Sequence, residues 1–375
     1  MASFTPSARY SHSSVLVEDK LYFFCGIKDD RTCTNEVFYL DLTQQFNTEV
    51  PQWTDLTTNS GIDFRSCRAS IVFDNKNTIY LIGGVMENQD NEDSFTSLVH
   101  TFNPKSEKWD VPKITGKEPS KRGYMQAVIT NDGIIYSFGG RDGLIYFNDM
   151  ILLDTNELKW SYGSVINAPS IIHSYTATLL SSGLIVYIGG REHIDNELID
   201  FNRINIYDTK LASWSVVQAK SDFYIEFRSG HSAILAADGK IIIYGGSPFE
   251  WTTPQVSSNI GEIPLLVYHT AHLVGNYMIV TFGRLTQPNL YPIVIESKIY
   301  LLDTRNYTWV NGFESLSAHT SHRKVIIFGT LSGILSVAIF MTIGIFVYKW
   351  YQKKRNSCGT IPSNIPENFL EIPGN

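Results

Sequence analysis

The chain has 375 residues, of which 43% are hydrophobic, 13% aromatic and 18% charged, with a formal net charge of −7. That apolar content is enough for one large core and excludes a disordered scaffold, while the acidic balance excludes nucleic-acid binding, which needs clustered Lys and Arg. Twenty Tyr, 21 Phe and 27 Gly, with strand-like runs between turn residues, favour an all-β domain.

In chain order, an apolar strand running into glycine recurs as LYFFCG (21–26), IYLIGG (79–84), IIYSFGG (134–140), LIVYIGG (184–190), IIIYGG (241–246) and MIVTFG (278–283). Measured between the last glycines, the intervals are 58, 56, 50, 56 and 37 residues, the range of propeller blades. Each unit but the fifth continues with an alternating strand ending in Asp or Asn: EVFYLDL (36–42), LVHTFNP (98–104), DMILLDT (149–155), INIYDT (204–209) and KIYLLDT (298–304). Trp53, Trp109, Trp160, Trp214 and Trp309 then lie 27, 25, 20, 24 and 26 residues past their glycines. A further strand precedes each glycine, as in ARYSHSSVLV (8–17) and FRSGHSAILA (227–236), giving four strands per unit.

The order glycine pair, aromatic-rich strand ending in Asp, then tryptophan resembles the kelch repeat over residues 7–315. It implies an all-β, six-bladed kelch-type β-propeller. The tryptophans would supply plates for packing blade on blade. Each blade starts and ends with its own strands, so closure is expected to rest on packing of blade 6 against blade 1. Blade 5 is irregular, because Trp251 follows Gly246 by only five residues and the Asp-ended strand is missing. Residues 252–263 are expected to cross the blade irregularly or to supply a substitute edge strand.

Beyond a linker at 316–324, residues 325–348 form an uncharged run of 24 residues, about 36 Å as a helix, and are predicted to be one C-terminal transmembrane α-helix. Lys349, Lys353, Lys354 and Arg355 outweigh Arg323 and Lys324, so the tail 349–375 is placed in the cytoplasm, mostly disordered. The propeller would then be extracellular or lumenal. No apolar leader stretch precedes the first repeat, which leaves a lost signal peptide or a cytosol-facing propeller as the two ways to read the N-terminus. Gly329 and Gly333 form a GxxxG pair that would let two helices approach as a homodimer. Asn306-Tyr307-Thr308 is a sequon, so Asn306 is a candidate glycosylation site.

Cys25, Cys33, Cys67 and Cys358 match no zinc spacing. Cys25 and Cys33 either pair across a blade loop or remain separate buried thiols. Along the inner strands, Arg9, Arg65, Arg122 and Arg228 align, followed three residues later by His12, Arg68, Met125 and His231, with Tyr175 and His269 at the matching place in blades 4 and 6. One reading is a basic channel mouth holding an acidic side chain or carboxylate, and the other is arginines capping carbonyls in their own blades. Kelch propellers also resemble the catalytic domain of galactose oxidase, and Tyr268-His269 looks like the adjacent copper ligands of that family. His12, His231 and His272 are candidates for its second imidazole, but no Tyr–Cys partner can be placed. No triad, P-loop or dinucleotide motif appears, so the sequence points to no enzyme, metal or cofactor. The function expected is a membrane-anchored binding module for a protein or glycan partner, with loops 27–35, 85–97, 141–148 and 191–203 as its contacts. The alternatives are a copper radical oxidase and a cytosol-facing scaffold at an organelle membrane.

Overall fold

The structure, a computed structural model, describes residues 4–88, 90, 92–192, 197–220, 225–247, 258–286 and 293–315. The apolar runs before each glycine become the second strands of antiparallel sheets, because β-branched and aromatic side chains fit a pleated surface buried on both faces. Five sheets are four-stranded. Blade 1 runs Ser13–Val17, Lys20–Phe24, Val37–Asp41, Trp53–Asp55, and blade 2 runs Ser70–Phe73, Ile79–Ile82, Val99–Asn103, Lys108–Asp110. Blade 3 runs Ala127–Ile129, Ile134–Phe138, Met150–Asp154, Lys159–Gly163, and blade 4 runs Thr176–Leu179, Leu184–Ile188, Arg203–Asp208, Ser213–Gln218. The last, blade 6, runs Thr270–Val274, Tyr277–Thr281, Ile299–Asp303, Thr308–Val310. At the fifth place the described residues form only the hairpin Ser232–Leu235 with Ile241–Tyr244.

That hairpin differs from its counterparts in burial. Ile79–Ile82 is buried along its whole length, whereas Ile241–Tyr244 is half-buried throughout. Beyond the hairpin, Ser258 bridges Trp309 in blade 6. Trp251 itself lies outside the described residues.

The first strands of the six repeats lie side by side in a closed circuit, from blade 1 through the hairpin to blade 6 and back. Two sets of backbone hydrogen bonds stitch it. In the first, Arg68 N–H donates to Ser11 C=O, Tyr124 to Arg68, Ser174 to Tyr124, Gly230 to Ser174, Tyr268 to Gly230, and Ser11 back to Tyr268, at 2.8 to 3.1 Å. All six residues have positive φ, between 51° and 66°. In the second, the last glycine of each repeat donates to the next repeat: Gly26 to Ser66, Gly84 to Arg122, Gly140 to Ile172, Gly190 to Arg228, Gly246 to Leu266 and Gly283 to Arg9. The expectation that closure rests on packing alone is therefore corrected. Besides both circuits, Gly312–Phe313 pairs with Phe46–Asn47 of blade 1, and Phe313 stacks on Phe46 with centroids 4.9 Å apart.

The glycine pairs have a steric cause at these junctions. A Cβ on Gly139 would lie 2.6 Å from the Ile172 carbonyl oxygen, and one on Gly245 would lie 2.3 Å from that of Leu266. Blades 1 and 6 hold Cys25 and Phe282 at the first position, both at positive φ.

The core lies between blades. Trp109 packs on Phe24 of blade 1 (5.4 Å), Trp214 on Phe138 of blade 3 (4.8 Å), Trp309 on Tyr244 of the hairpin (5.2 Å) and Trp53 on Phe282 of blade 6 (5.8 Å). Each tryptophan thus seals the junction to the repeat before it. At ~25 cal/mol per Å² and roughly 150–250 Å² per ring, that is an upper bound of about 4–6 kcal/mol each.

No helix among the described residues is long and apolar enough to cross a membrane. The segment 325–348, with Gly329 and Gly333, and the tail 349–375 lie outside the described residues. Of the two alternatives for Cys25 and Cys33, the separate buried thiol holds for Cys25 alone. Cys33 forms a disulfide with Cys67, joining the blade 1 loop to the entry of blade 2 with Cα atoms 5.5 Å apart, and Cys25 is a free buried thiol. Cys25 sits where the glycine pair turns the chain inward, and burial pushes its pKa up to about 12.

Candidate functional site: the channel mouth

Antiparallel strands put every glycine pair at one end of the channel, so the loops at 27–35, 85–97, 141–148 and 191–203 all emerge on that face. The residue after each last glycine bridges the residue just before the first circuit: Tyr10 with Ile27, Cys67 with Val85, Gly123 with Arg141, His173 with Arg191, Ser229 with Ser247 and Val267 with Arg284. Six repeats therefore present equivalent positions around one opening. Inside is a cavity of about 210 Å³ lined by hydroxyls and imidazoles, among them Ser14, Ser70, Thr176, Ser232, Thr270 and His272.

The aligned arginines do not line this cavity. Arg9 is fully buried, donating to the carbonyls of Ser7 and Cys25 and pairing with Glu36. Burial pushes the Glu36 carboxyl up, but the Arg9 charge and the Ser7 hydrogen bonds outweigh it and hold its pKa below the usual range. Arg122 repeats the pattern with Ser120, Gly139 and Asp149, and Arg228 with Glu226 and Gly245. These three brace the glycine turns of their own blades. Arg65 is not their equivalent. The residue whose carbonyl accepts from the preceding glycine is Ser66, so blade 2 is shifted by one residue, and Arg65 instead pairs with Glu87 along the strand Arg65–Cys67. The distances from arginine to last glycine, 17, 19, 18 and 18 residues, could not reveal that shift.

The shift carries Arg68 onto the first circuit and puts Ala69 in the place of His12. His12, His231 and His269 line the cavity wall, but each ring turns into the junction with the preceding repeat. His12 Nε2 meets Thr270 Oγ1 at 2.9 Å, His231 Nε2 meets Thr176 Oγ1 at 3.1 Å, and His269 Nε2 meets Ser232 Oγ at 2.8 Å. His272 Nε2 meets Ser14 Oγ at 2.7 Å. Burial lowers all four: His231 and His269 to about 3, His272 to about 4, and His12 well below its usual value, the last helped by the Arg9 charge. They are neutral joints between blades. Tyr268 leans over Gly230, while the neighbouring His269 turns to Ser232, so the two side chains diverge. Among the described residues no group of three or more His, Cys, Asp or Glu could hold a metal ion.

What rims the opening is a second set of arginines that the sequence reading missed. Arg141, Arg191 and Arg284 each directly follow a last glycine, and a Gly-Arg step in three repeats was the available signal. Arg141 lies 4.2 Å from the Tyr124 ring centroid and 6.0 Å from that of Tyr146. Arg68 lies 5.0 Å from Tyr124, and Arg284 lies 5.9 Å from Tyr10. Stacking occupies the guanidinium faces and leaves the N–H edges for an acceptor. Among the described residues none of Arg68, Arg141 and Arg284 has a carboxylate within ion-pair distance.

Residues 1–186 match the family model described as the KLHDC2/KLHL20/DRC7 Kelch-repeats domain. This chain is a kelch-repeat β-propeller. The propeller is 24% identical over 304 residues to acyl-CoA-binding domain-containing protein 4 of Arabidopsis thaliana, covering 74% of this chain and 43% of that protein. It is 26% identical over 259 residues to Kelch domain-containing protein 3 of Homo sapiens, covering 64% of each chain. The match to Kelch domain-containing protein 10 of Rattus norvegicus is 28% over 256 residues, 64% of this chain and 60% of that one. The chain thus spans between about two-fifths and two-thirds of the length of these relatives. The solved structure of YjhT superposes with a TM-score of 0.60 at 16% identity, over 82% of this chain and 98% of that one, which supports the fold.

Proposed function

We propose that the propeller is a binding module that takes a protein partner on its mouth face, carried on a membrane by residues 325–348. The observation that carries this reading is the set of stacked arginines, Arg68, Arg141 and Arg284, half-buried and, among the described residues, without carboxylate partners of their own. A half-buried guanidinium whose stacking is already arranged loses little freedom on taking a carboxylate, so acidic side chains of a partner are the natural complement. The hairpin Ser232–Leu235 with Ile241–Tyr244 is read as a sixth, reduced blade, since it takes part in both hydrogen-bond circuits.

The buried Cys33–Cys67 disulfide supports an extracellular or lumenal propeller over a cytosolic scaffold, because reducing compartments keep such thiols apart. Asn306 is exposed in a turn at the end of blade 6 away from the mouth, where a glycan would not obstruct binding. A glycan partner and a homodimer through Gly329 and Gly333 belong to the same proposal as lesser variants.

The test is proximity labelling in cells with the full-length chain. The variant R68E/R141E/R284E should lose labelled partners that K105E/K210E, on the opposite face, retains. Equal labelling by both variants would overturn the mouth-face reading. Insensitivity of the wild-type chain to deglycosylation, together with a cytosolic N-terminal tag, would overturn the topology.

A further inference from the structure

The mouth-face loops of the first three blades are not alike at their tips. Blade 1 ends in Asp29, Asp30 and Arg31 and blade 2 carries Glu87, Glu92 and Asp93, all charged. Blade 3 instead closes a two-residue turn between Asp142 and Ile145, and its tip is apolar. Leu144 is 89% exposed and Ile145 62%, and Leu144 is the most exposed large apolar side chain among the described residues. Neither is required by the backbone. The turn needs positive φ only at Gly143, which supplies it at 56°, and any polar residue would serve after it. The second mouth-face loop of blade 3 adds Val165 at 48% and Ile166 at 74%.

The base of this hairpin is rigid. Arg141 is clamped between the rings of Tyr124 and Tyr146, donates to the Gly143 carbonyl at 2.8 Å, and so fixes the turn from beneath. Tyr146 packs on His173 at 5.6 Å, which ties the hairpin to blade 4. An apolar tip on a fixed stalk, with two guanidinium groups that have no carboxylate partner among the described residues at its foot, has the composition of an interface centre: an apolar anchor beside polar groups that set register.

Resting on the mouth-face reading above, we propose that the Arg141–Tyr146 hairpin is the anchor of that interface, and that its partner is a short linear segment in which an apolar side chain lies next to acidic ones. The apolar residue covers Leu144 and Ile145, and the carboxylates reach Arg141 and Arg68. Charge complementarity selects this occupant, because Arg141 and Arg68 at the foot of the hairpin outnumber the single carboxylate of Asp142 there.

The probe is a displayed library of random linear peptides selected on the full-length chain in detergent. The selected consensus peptide is then synthesised and its affinity measured on variants. Enrichment of an apolar residue flanked by Asp or Glu is expected. L144S/I145S should weaken the consensus peptide on the order of tenfold with melting temperature unchanged, and R68E/R141E should weaken it at least as much. If R68E/R141E abolishes binding while L144S/I145S leaves it intact, the anchor is wrong and the mouth reading stands. If neither variant changes affinity, both readings fall. A selection that yields no consensus, or a basic or neutral one, overturns the anchor.

Discussion

At the scale of single residues, the propeller uses two sets of arginines for different work. Arg9 and Arg122 are buried, paired with Glu36 and Asp149, and hold the carbonyls of the glycine turns. Replacing Arg122 leaves the Asp149 carboxylate and the carbonyls of Ser120 and Gly139 without its donors, whereas Arg68 at the mouth loses only stacking and solvent contacts. Arg122→Leu should therefore cost about 2–3 kcal/mol in urea unfolding, the usual cost of breaking a buried pair reduced for the partial exposure of Asp149. Arg68→Gln should change stability by less than about 0.5 kcal/mol. Equal losses would show that the division is mistaken. Spacing from glycine placed three of the four aligned arginines correctly, and its single-residue error in blade 2 hid Arg68 on the inner circuit. A period-two strand tolerates no such error, since one step exchanges channel for blade.

At the scale of elements, the repeat pattern made the strands legible because glycine, alternating apolar residues and tryptophan each have a separate steric reason for their place. The small pairings beyond the glycines were not legible. Arg65–Cys67 with Val85–Glu87, and Leu266–Val267 with Arg284–Leu285, are two or three residues long and carry no periodicity. The disulfide was missed for a related reason, since Cys33 and Cys67 belong to different blades and only the closed ring brings them together. The glycine pairs give a sharp contrast. Gly139→Ala would drive a Cβ into the Ile172 carbonyl at a junction and should cost more than about 2 kcal/mol, while Gly143→Ala, with nothing within 4 Å, should cost only the strain of its positive φ, about 1 kcal/mol. Thermal unfolding of the two variants checks this. At the seam, Phe313→Ala removes a buried ring stacked on Phe46 and should cost about 3–5 kcal/mol, read as a lower urea midpoint.

At the scale of the whole molecule, the four histidines of the cavity wall gather in one half of the circuit. His231, His269 and the pair His12 and His272 occupy three successive junctions, those on both sides of the hairpin and at the seam, whereas Ala69, Met125 and Tyr175 hold the other three. The folded pKa values of His231, His269 and His272 lie below the unfolded value of about 6.5, so the stability these three confer is complete above that pH and is lost as the pH falls toward about 3 to 4. Between pH 7 and 5 the loss should be on the order of 1–2 kcal/mol per histidine. A urea midpoint that stays constant from pH 7 to 5 would contradict this. Hydrogen exchange at pH 5 should rise first in the inner strands Ser232–Leu235 and Thr270–Val274.

The two hydrogen-bond circuits have a further consequence. A line of peptide dipoles normally has a loose donor at one end and a loose acceptor at the other, but a line joined to itself has neither. Here one loop of dipoles runs one way around the axis and the other runs back, each with six members. Removing a whole repeat would strand a donor and an acceptor in each loop, so repeats are gained or lost at the hub only as complete units. Strands at the rim belong to neither loop. A repeat can shed its outer half, as the hairpin's described residues have, without breaking the count at the centre. The rim is thus where this molecule has latitude to change, and the hub is where it has none.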